Sequence, residues 1–280
     1  MKILIAGAFG NFGREILRAA VAAGHKVTAA DKVVRPVDFG GFTTRTIDVQ
    51  DRHGLKGIAK GMDIVISNVG LTTPHKSLSH EDIDFEGNRN LLAEARMAGV
   101  KRFIYISLFR ADEAKKNNPL LYARHRFEKE LIESAVPYLI YRPTGYFHDL
   151  ANMFRPMVEK GTGRLLFNAR ALINVVDTRE FATYIIANLK AGQGVVDIGG
   201  FETYSYKDIG RMFFQAAGIK VHFKRIPALF MYLQTWYARL RKTGQHPSLA
   251  YTRWALTHDL VSQHIIGTRP LEEYIKSLYP

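Results

Sequence analysis

Two side chains one helical turn apart could do proton chemistry in this sequence. Tyr122 and Arg126 lie in the stretch LLYARHRFEKEL, residues 120–131, and a spacing of four puts them on one face of a helix. A free phenol, with a pKa of about 10, is a poor base at neutral pH, so it needs a nearby cation to act as a general acid or base. An arginine supplies that charge, but it is bulkier than a lysine and cannot release a proton in its turn. Arg124 sits between the two, and His125 and His148 are further proton carriers by residue type. The ten histidines show no HExxH or other tight ligand spacing, and the chain has no cysteine. Neither a metal site nor thiolate chemistry is expected.

A second group of residues could hold a phosphate. The stretch GAFGNFG places Gly7, Gly10 and Gly13 between a short apolar run and an amphipathic one. One glycine permits a tight turn, one lets a diphosphate approach the backbone, and one lets a helix lie close to a strand. The helix that follows offers free N–H groups and a partial positive charge at its start. Asp31 lies 18 residues after Gly13, near the spacing at which a carboxylate accepts from ribose hydroxyls. That favours NAD, because a 2′-phosphate would be repelled. Lys32 and Arg35, close by, would instead welcome the phosphate of NADP. NAD is the preferred expectation and NADP the alternative.

These residues need a frame to position them. Short apolar strands are predicted at 2–7, 25–30, 42–49, 62–70, 101–107 and 137–143, and helices at 11–25, 53–61, 84–100 and 120–135. Strands alternating with helices argue for a parallel sheet covered on both faces, hence an α/β fold of the doubly wound Rossmann type. The glycine stretch then leaves the first strand and opens the first helix. After Pro143 the pattern loosens into a strand and helix over 173–189, a strand at 194–200, and helices at 204–218 and 227–242. No Gly/Ser-rich linker divides the chain. The expected organisation is a nucleotide-binding core, mainly residues 1–145, and a small C-terminal α/β cap on the substrate side, mainly residues 146–280. The two are expected to form one integrated domain, with elements of the second returning to the first.

GAFGNFG, DFEGNRNLLAEARMAGVKRFIYIS, ELIESAVPYLIYRPTGYF and INVVDTREFATYII occur in this order. Together they resemble the atypical and extended short-chain dehydrogenase/reductases, specifically their NmrA-like, NAD(P)-binding branch, over nearly the whole chain. The resemblance implies that Gly7, Phe9, Gly10, Asn11, Phe12 and Gly13 line the diphosphate, and that Asp31 and Lys32 face the adenosine ribose. It places Asp48 and Val49 at the adenine, and Asn68, Val69 and Gly70 beside the cofactor after the fourth strand. Ser107 falls near the nicotinamide, and Pro143, Thr144 and Gly145 beside its carboxamide, with Tyr146, Phe147 and His148 facing the substrate. In active members a tyrosine is the acid or base, a lysine lowers its pKa, and a serine orients the substrate oxygen. Here that triad is degenerate. One register makes Tyr122 the acid with Arg126 as its cation; the other puts Arg124 at the lysine position and Leu120 at the tyrosine position.

The implied function is that of an enzyme, an NAD(P)-dependent oxidoreductase moving a hydride to or from a small carbonyl, enone, quinone or imine. Tyr122, Arg126 and Ser107 are the catalytic candidates, with Arg124 on the cofactor. A non-catalytic NAD(P)-binding redox sensor or regulator, and a nucleotide-sugar epimerase or dehydratase, are the alternatives. The net charge of +13 is unevenly placed: residues 209–258 hold no Asp or Glu, yet contain Arg211, Lys220, Lys224, Arg225, Arg239, Arg241, Lys242 and Arg253. An anionic small-molecule substrate, an anionic surface or an anionic partner suits such a region. No zinc-finger spacing or RNA-binding aromatic signature accompanies it, so nucleic acid is not expected. No run of about 18 apolar residues is present to span a membrane. The N-terminal apolar run is too short and too early broken for a signal peptide, and the expected location is the cytoplasm.

Overall fold

The computed structural model describes residues 1–71, 78–166, 170–220, 223–241 and 246–279. In chain order the first elements are β1 (Lys2–Ala6), α1 (Asn11–Ala22), β2 (Lys26–Asp31), β3 (Phe42–Thr46), β4 (Ile64–Ser67), α2 (Asn88–Met97), β5 (Arg102–Ile106), α3 (Pro119–Glu133) and β6 (Tyr138–Pro143). They continue as α4 (Phe147–Glu159), β7 (Gly163–Leu166), β8 (Leu172–Ile173), α5 (Thr178–Ala187), β9 (Gly194–Gly200), β10 (Tyr204–Ser205) and α6 (Tyr206–Ala216). β11 (Phe223–Ile226), α7 (Ala228–Leu240), α8 (His246–Ala255), β12 (Ile265–Ile266) and α9 (Leu271–Lys276) complete the described elements.

One eight-stranded sheet has the order β12-β9-β6-β5-β4-β1-β2-β3. The pairs β1–β2, β1–β4, β2–β3, β4–β5, β5–β6 and β9–β12 are parallel. The run from β3 to β6 is the doubly wound Rossmann order, reversing between β1 and β4. Such sheets take ligands outside the carboxyl ends of the strands at that reversal. The fold class expected from strand–helix alternation is the one observed.

By compactness the chain divides into unit one, Met1–Arg142 with Phe181–Val196, and unit two, Pro143–Glu180 with Asp197–Pro280. In unit one, Ile3, Leu4, Ile5 and Ala6 of β1 are all fully buried, the continuous apolar run of a strand covered on both faces. On one side of the sheet Phe103 and Tyr105 of β5 meet Phe127 of α3, with ring centroids 6.0 and 4.7 Å apart. Elsewhere in the unit Phe12 of α1 stacks on Phe181 of α5 at 5.0 Å. Within unit two, Phe154 of α4 stacks on Phe213 of α6 at 5.3 Å. Asn174 ties separate segments together there, its amide donating to Ser262 O at 2.9 Å and accepting from Ser262 N at 3.0 Å.

Two local expectations are corrected. Residues 53–61 form successive turns, not a helix. Gly57 and Gly61 adopt φ of +76° and +73°, left-handed values that end helical progress, and Gly57 N donates instead to Glu94 Oε2 at 2.6 Å. The helix predicted over 84–100 is entered through a π-helical segment, Glu81–Gly87, before α2 begins. A widened turn of that kind frequently marks a functional site.

Candidate functional site

The glycine loop leaves β1 and opens α1. Gly7 adopts φ +75°, which favours glycine, and its N–H donates to Ala30 O at 2.9 Å. A Cβ on Gly7 would lie 2.7 Å from Asn68 O, and one on Gly13 would overlap the Gly7 carbonyl. Both glycines are therefore demanded by the close approach of α1, β1 and the exit of β4. Gly10 is different. A Cβ there would meet only Gly7 O at 3.5 Å and Asn68 Nδ2 at 3.9 Å, which are ordinary contacts. Packing does not require glycine at that position, and the space before it is a cradle a phosphate fits. Gly10 is the N-cap of α1 and has no side chain to fill the cap. The first turn carries no acidic residue, so the positive end of the helix stays available to an anion. Asn11 is exposed beside it, while Phe9 and Phe12 are buried.

The end of β2 supports this loop. Asp31 Oδ2 accepts from Phe9 N at 2.9 Å and Oδ1 from Lys32 N at 2.7 Å. The Lys32 ammonium lies 2.7 Å from Asp48 Oδ2, and Asp48 Oδ1 accepts from Gln50 N at 3.0 Å. Burial raises the Asp48 carboxyl, but the Lys32 ammonium and the Gln50 N–H outweigh it and hold the group below its usual range. Val49 is buried against Gly87 of the π-helical segment, where a Cβ would lie 2.6 Å from Val49 Cγ2.

The exit of β4 is held by Ser67, His80, Asp84 and Asn88, none of them named above as a site residue, although Asp84 and Asn88 fall in the stretch DFEGNRN. Asn68 N donates to Ala6 O at 2.9 Å, and Val69 N to Ser67 Oγ at 3.4 Å. Ser67 Oγ donates to Asn88 Oδ1, and the Asn88 amide donates to Val69 O at 3.2 Å and Asp84 O at 2.9 Å. Asp84 is fully buried. It accepts from Leu71 N at 3.1 Å, lies 2.8 Å from His80 Nδ1, and is paired with Arg124 Nε at 3.0 Å. Arg124 Nη1 also donates to Ile106 O at 2.9 Å and Ser107 O at 3.4 Å. Any Cβ on Gly70 would collide with the Arg124 guanidinium. Arg124 thus joins α3 to the ends of β4 and β5.

Beside this pair the Tyr105 phenol and the Ser107 hydroxyl are buried without hydrogen-bond partners among the described residues, as is the Asn118 amide at the start of α3. Ser107 follows β5, its N–H donating to Tyr141 O at 2.8 Å. Burial pushes the Tyr105 phenol well above its usual value; the Arg124 charge opposes that, and Asp84 and Glu128 add to it. Asn118 is the N-cap of α3, yet its side chain makes no capping bond. Its sequence signal was faint, an asparagine before a proline at a helix start.

Tyr122 and Arg126 share a face of α3, with the guanidinium carbon 5.9 Å from the phenol ring centroid. Arg126 also pairs with Glu81 and lies 3.8 Å over the Phe85 ring. That carboxylate offsets part of the Arg126 charge beside the phenol. No described residue bonds the Tyr122 hydroxyl. Two residues on from Arg126, Glu128 takes both Nε and Nη2 of Arg142, at 2.9 and 2.6 Å. His125 Nδ1 lies 3.6 Å from Glu128, and His125 is thereby part of the same buried cluster.

In unit two, Pro143 ends β6 and Thr144 is buried, its N–H donating to Ile198 O at 2.9 Å and its hydroxyl to Asn174 O at 2.7 Å. Gly145 O accepts from Val176 N at 3.0 Å. The rings of Tyr146 and His148 stack at 5.3 Å, and His148 Nε2 lies 3.3 Å from Asp149 Oδ1. Phe147 is buried against Tyr274, with centroids 5.3 Å apart, so its ring belongs to the packing of this unit.

A glycine cradle at the first helix, a carboxylate at the end of β2 and the strand reversal are the parts of a dinucleotide site, and residues 7–166 match the family described as NAD(P)H-binding. The chain belongs to this NAD(P)H-binding family. The match begins at Gly7, directly after β1, and takes in α1 to β7. It agrees with the resemblance to the NmrA-like dehydrogenase/reductases carried by the sequence motifs. Over its full length the NAD(P)H-binding chain is 23% identical to a photosystem II assembly factor, Ycf39, of Guillardia theta, covering 94% of that protein. In fold it is similar to a nucleoside-diphosphate-sugar epimerase of Staphylococcus aureus, at a TM-score of 0.79 and 20% identity, with 99% of this chain and 100% of that one covered. It is likewise similar to an NADPH-dependent quinone oxidoreductase of Escherichia coli solved with NADPH, at a TM-score of 0.77 and 18% identity over 99% and 100% of the two chains.

Proposed function

We propose that the chain is an NAD(P)-dependent oxidoreductase of the short-chain dehydrogenase/reductase type, acting on a small carbonyl, enone, quinone or imine, with NAD ahead of NADP. The observation that carries the enzymatic reading is Ser107. Its hydroxyl is buried at the carboxyl end of the sheet with no partner among the described residues. A buried polar group left unpaired costs about 1–3 kcal/mol, a cost that a substrate oxygen accepting from it would offset. A bound nicotinamide supplies or takes the hydride. Ser107 holds the substrate oxygen, and Tyr122, whose hydroxyl no described residue bonds, is the proton donor. Arg124 acts as a positioning residue by fixing the carbonyls at the end of β5. The preference for NAD rests on charge: Lys32 is neutralised by Asp48, which leaves the Asp31 carboxylate to face a 2′-phosphate.

Turnover and titration test this reading. Ser107→Ala should lower kcat on a reducible quinone or enone by about tenfold or more with NADH affinity unchanged. Tyr122→Phe should do the same. Unaltered turnover in both variants would remove the proposed chemistry. A wild type that binds NADPH at least about tenfold more tightly than NADH, about 1.4 kcal/mol, would reverse the cofactor choice. A second reading, a non-catalytic NAD(P)-binding assembly or regulatory protein, draws support from the relative named as an assembly factor and from the engagement of Arg126 by Glu81. Tight NADH binding with no turnover across carbonyls, enones, quinones and imines would favour it.

A further inference from the structure

Helix α7 exposes its apolar side chains. Leu229 is 68%, Trp236 61% and Leu240 64% accessible, and Leu233 and Tyr237 are more than half so. At about 100° per residue these positions, with Phe230 and Tyr232, fill an arc of roughly 160°. The inward face is carried by Thr235 and Ala238, which are buried at 6% and 4%. The helix is thus amphipathic in reverse, its small side turned in and its large apolar side turned out. Folded proteins rarely leave so continuous an apolar surface without a use for it.

The stretch of chain that carries this face holds charge of one sign. No Asp or Glu occurs from residue 209 to residue 258. Arg253 of α8 sets its guanidinium 4.1 Å over the Tyr232 ring, and Arg241 lies 5.5 Å from the Tyr237 ring centroid. Fixed cations therefore rim the apolar arc, and Lys220 and Lys224 are exposed in the same unit. Lys242 lies outside the described residues. No helix among the described residues is long and apolar enough to cross a membrane. A helix of this kind can lie in the plane of a bilayer surface, with aliphatic and aromatic groups in the acyl boundary and cations at the headgroups. Tyrosine and tryptophan favour that boundary because one end of each is apolar and the other polar. A protein partner matched to this face would need a concave apolar groove with acidic walls. A fluid anionic lipid surface meets both requirements without a matched shape.

We propose that α7, with Arg241 and Arg253 at its rim, docks this chain on an anionic phospholipid surface. The full-length protein should co-sediment with phosphatidylcholine vesicles containing phosphatidylglycerol, weakly or not at all with phosphatidylcholine alone, and less as salt is raised. The chain has two tryptophans, so Trp254→Phe leaves Trp236 as the sole reporter. Its emission should shift to the blue on anionic vesicles and be quenched by brominated acyl chains. Leu233→Glu with Trp236→Glu should abolish sedimentation while NADH binding persists. Arg241→Glu with Arg253→Glu should weaken it by about fivefold or more per cation. Absence of binding to anionic vesicles, binding that survives Leu233→Glu, or a Trp236 signal untouched by brominated lipid would each overturn the proposal. A dimer in light scattering that Leu233→Glu dissolves, with no vesicle binding, would assign the face to a second copy. If the double-glutamate variant fails to fold, quenching of Trp236 in the single-tryptophan protein decides alone.

Discussion

A methyl group added at Gly13 would run into the Gly7 carbonyl, while one added at Gly10 would find ordinary contacts at 3.5 and 3.9 Å. The two substitutions should separate accordingly. Gly13→Ala should destabilise the protein by about 1–3 kcal/mol, as overpacking does, and lower Tm with or without cofactor. Gly10→Val should fold with near wild-type stability and lose NADH affinity by about tenfold or more, because the side chain enters the phosphate cradle. Equal NADH affinity in wild type and Gly10→Val would show that the loop does not hold a diphosphate. The spacing of the three glycines was legible in the sequence. Which of them serves the ligand and which the backbone was not, because that depends on what stands opposite each one.

Helix α3 is held at two buried ion pairs, Arg124 with Asp84 and Arg142 with Glu128. Asp84 is 0% and Glu128 1% accessible, so removing either cation strands a carboxylate in the interior. Arg142→Met should cost about 3–5 kcal/mol in urea unfolding, and Glu128→Leu in the same chain should recover most of it. A loss below about 1 kcal/mol for Arg142→Met would mean that the pair contributes little. A charged helix was evident in LLYARHRFEKEL from its periodicity. Its partners were not, since Asp84 and Arg142 belong to other elements. The turns at residues 53–61 and the π-helical entry to α2 were missed for a related reason. The glycines and the Asn88 hydrogen bonds that produce them compete with helical propensity only once β4 and α2 are in place.

The whole molecule carries a net charge of +13, with its acid-free stretch gathered in unit two and its dinucleotide-binding elements in unit one. A ligand that binds only the folded chain stabilises it by mass action. NADH at about 100 times its Kd should add about 2.7 kcal/mol and raise Tm, and its removal by gel filtration should reverse the shift. No shift at saturating NADH or NADPH would contradict cofactor binding by the folded chain. The sequence by itself determined the class of the fold, because hydrophobic periodicity and the order of strands and helices are local properties of the chain. It also determined the place of the glycine loop after the first strand and of Asp31 at the end of the second. Only the tertiary structure decided which charges are neutralised. Lys32 is tied to Asp48, Arg126 to Glu81 and Arg124 to Asp84, pairings across 16, 45 and 40 residues of sequence. Only folding could show that Ser107 and Asn118 are buried without partners among the described residues, or that the large side chains of α7 face outwards. Helical spacing reveals that a helix has an apolar face, but which way that face turns is set by the elements on its other side.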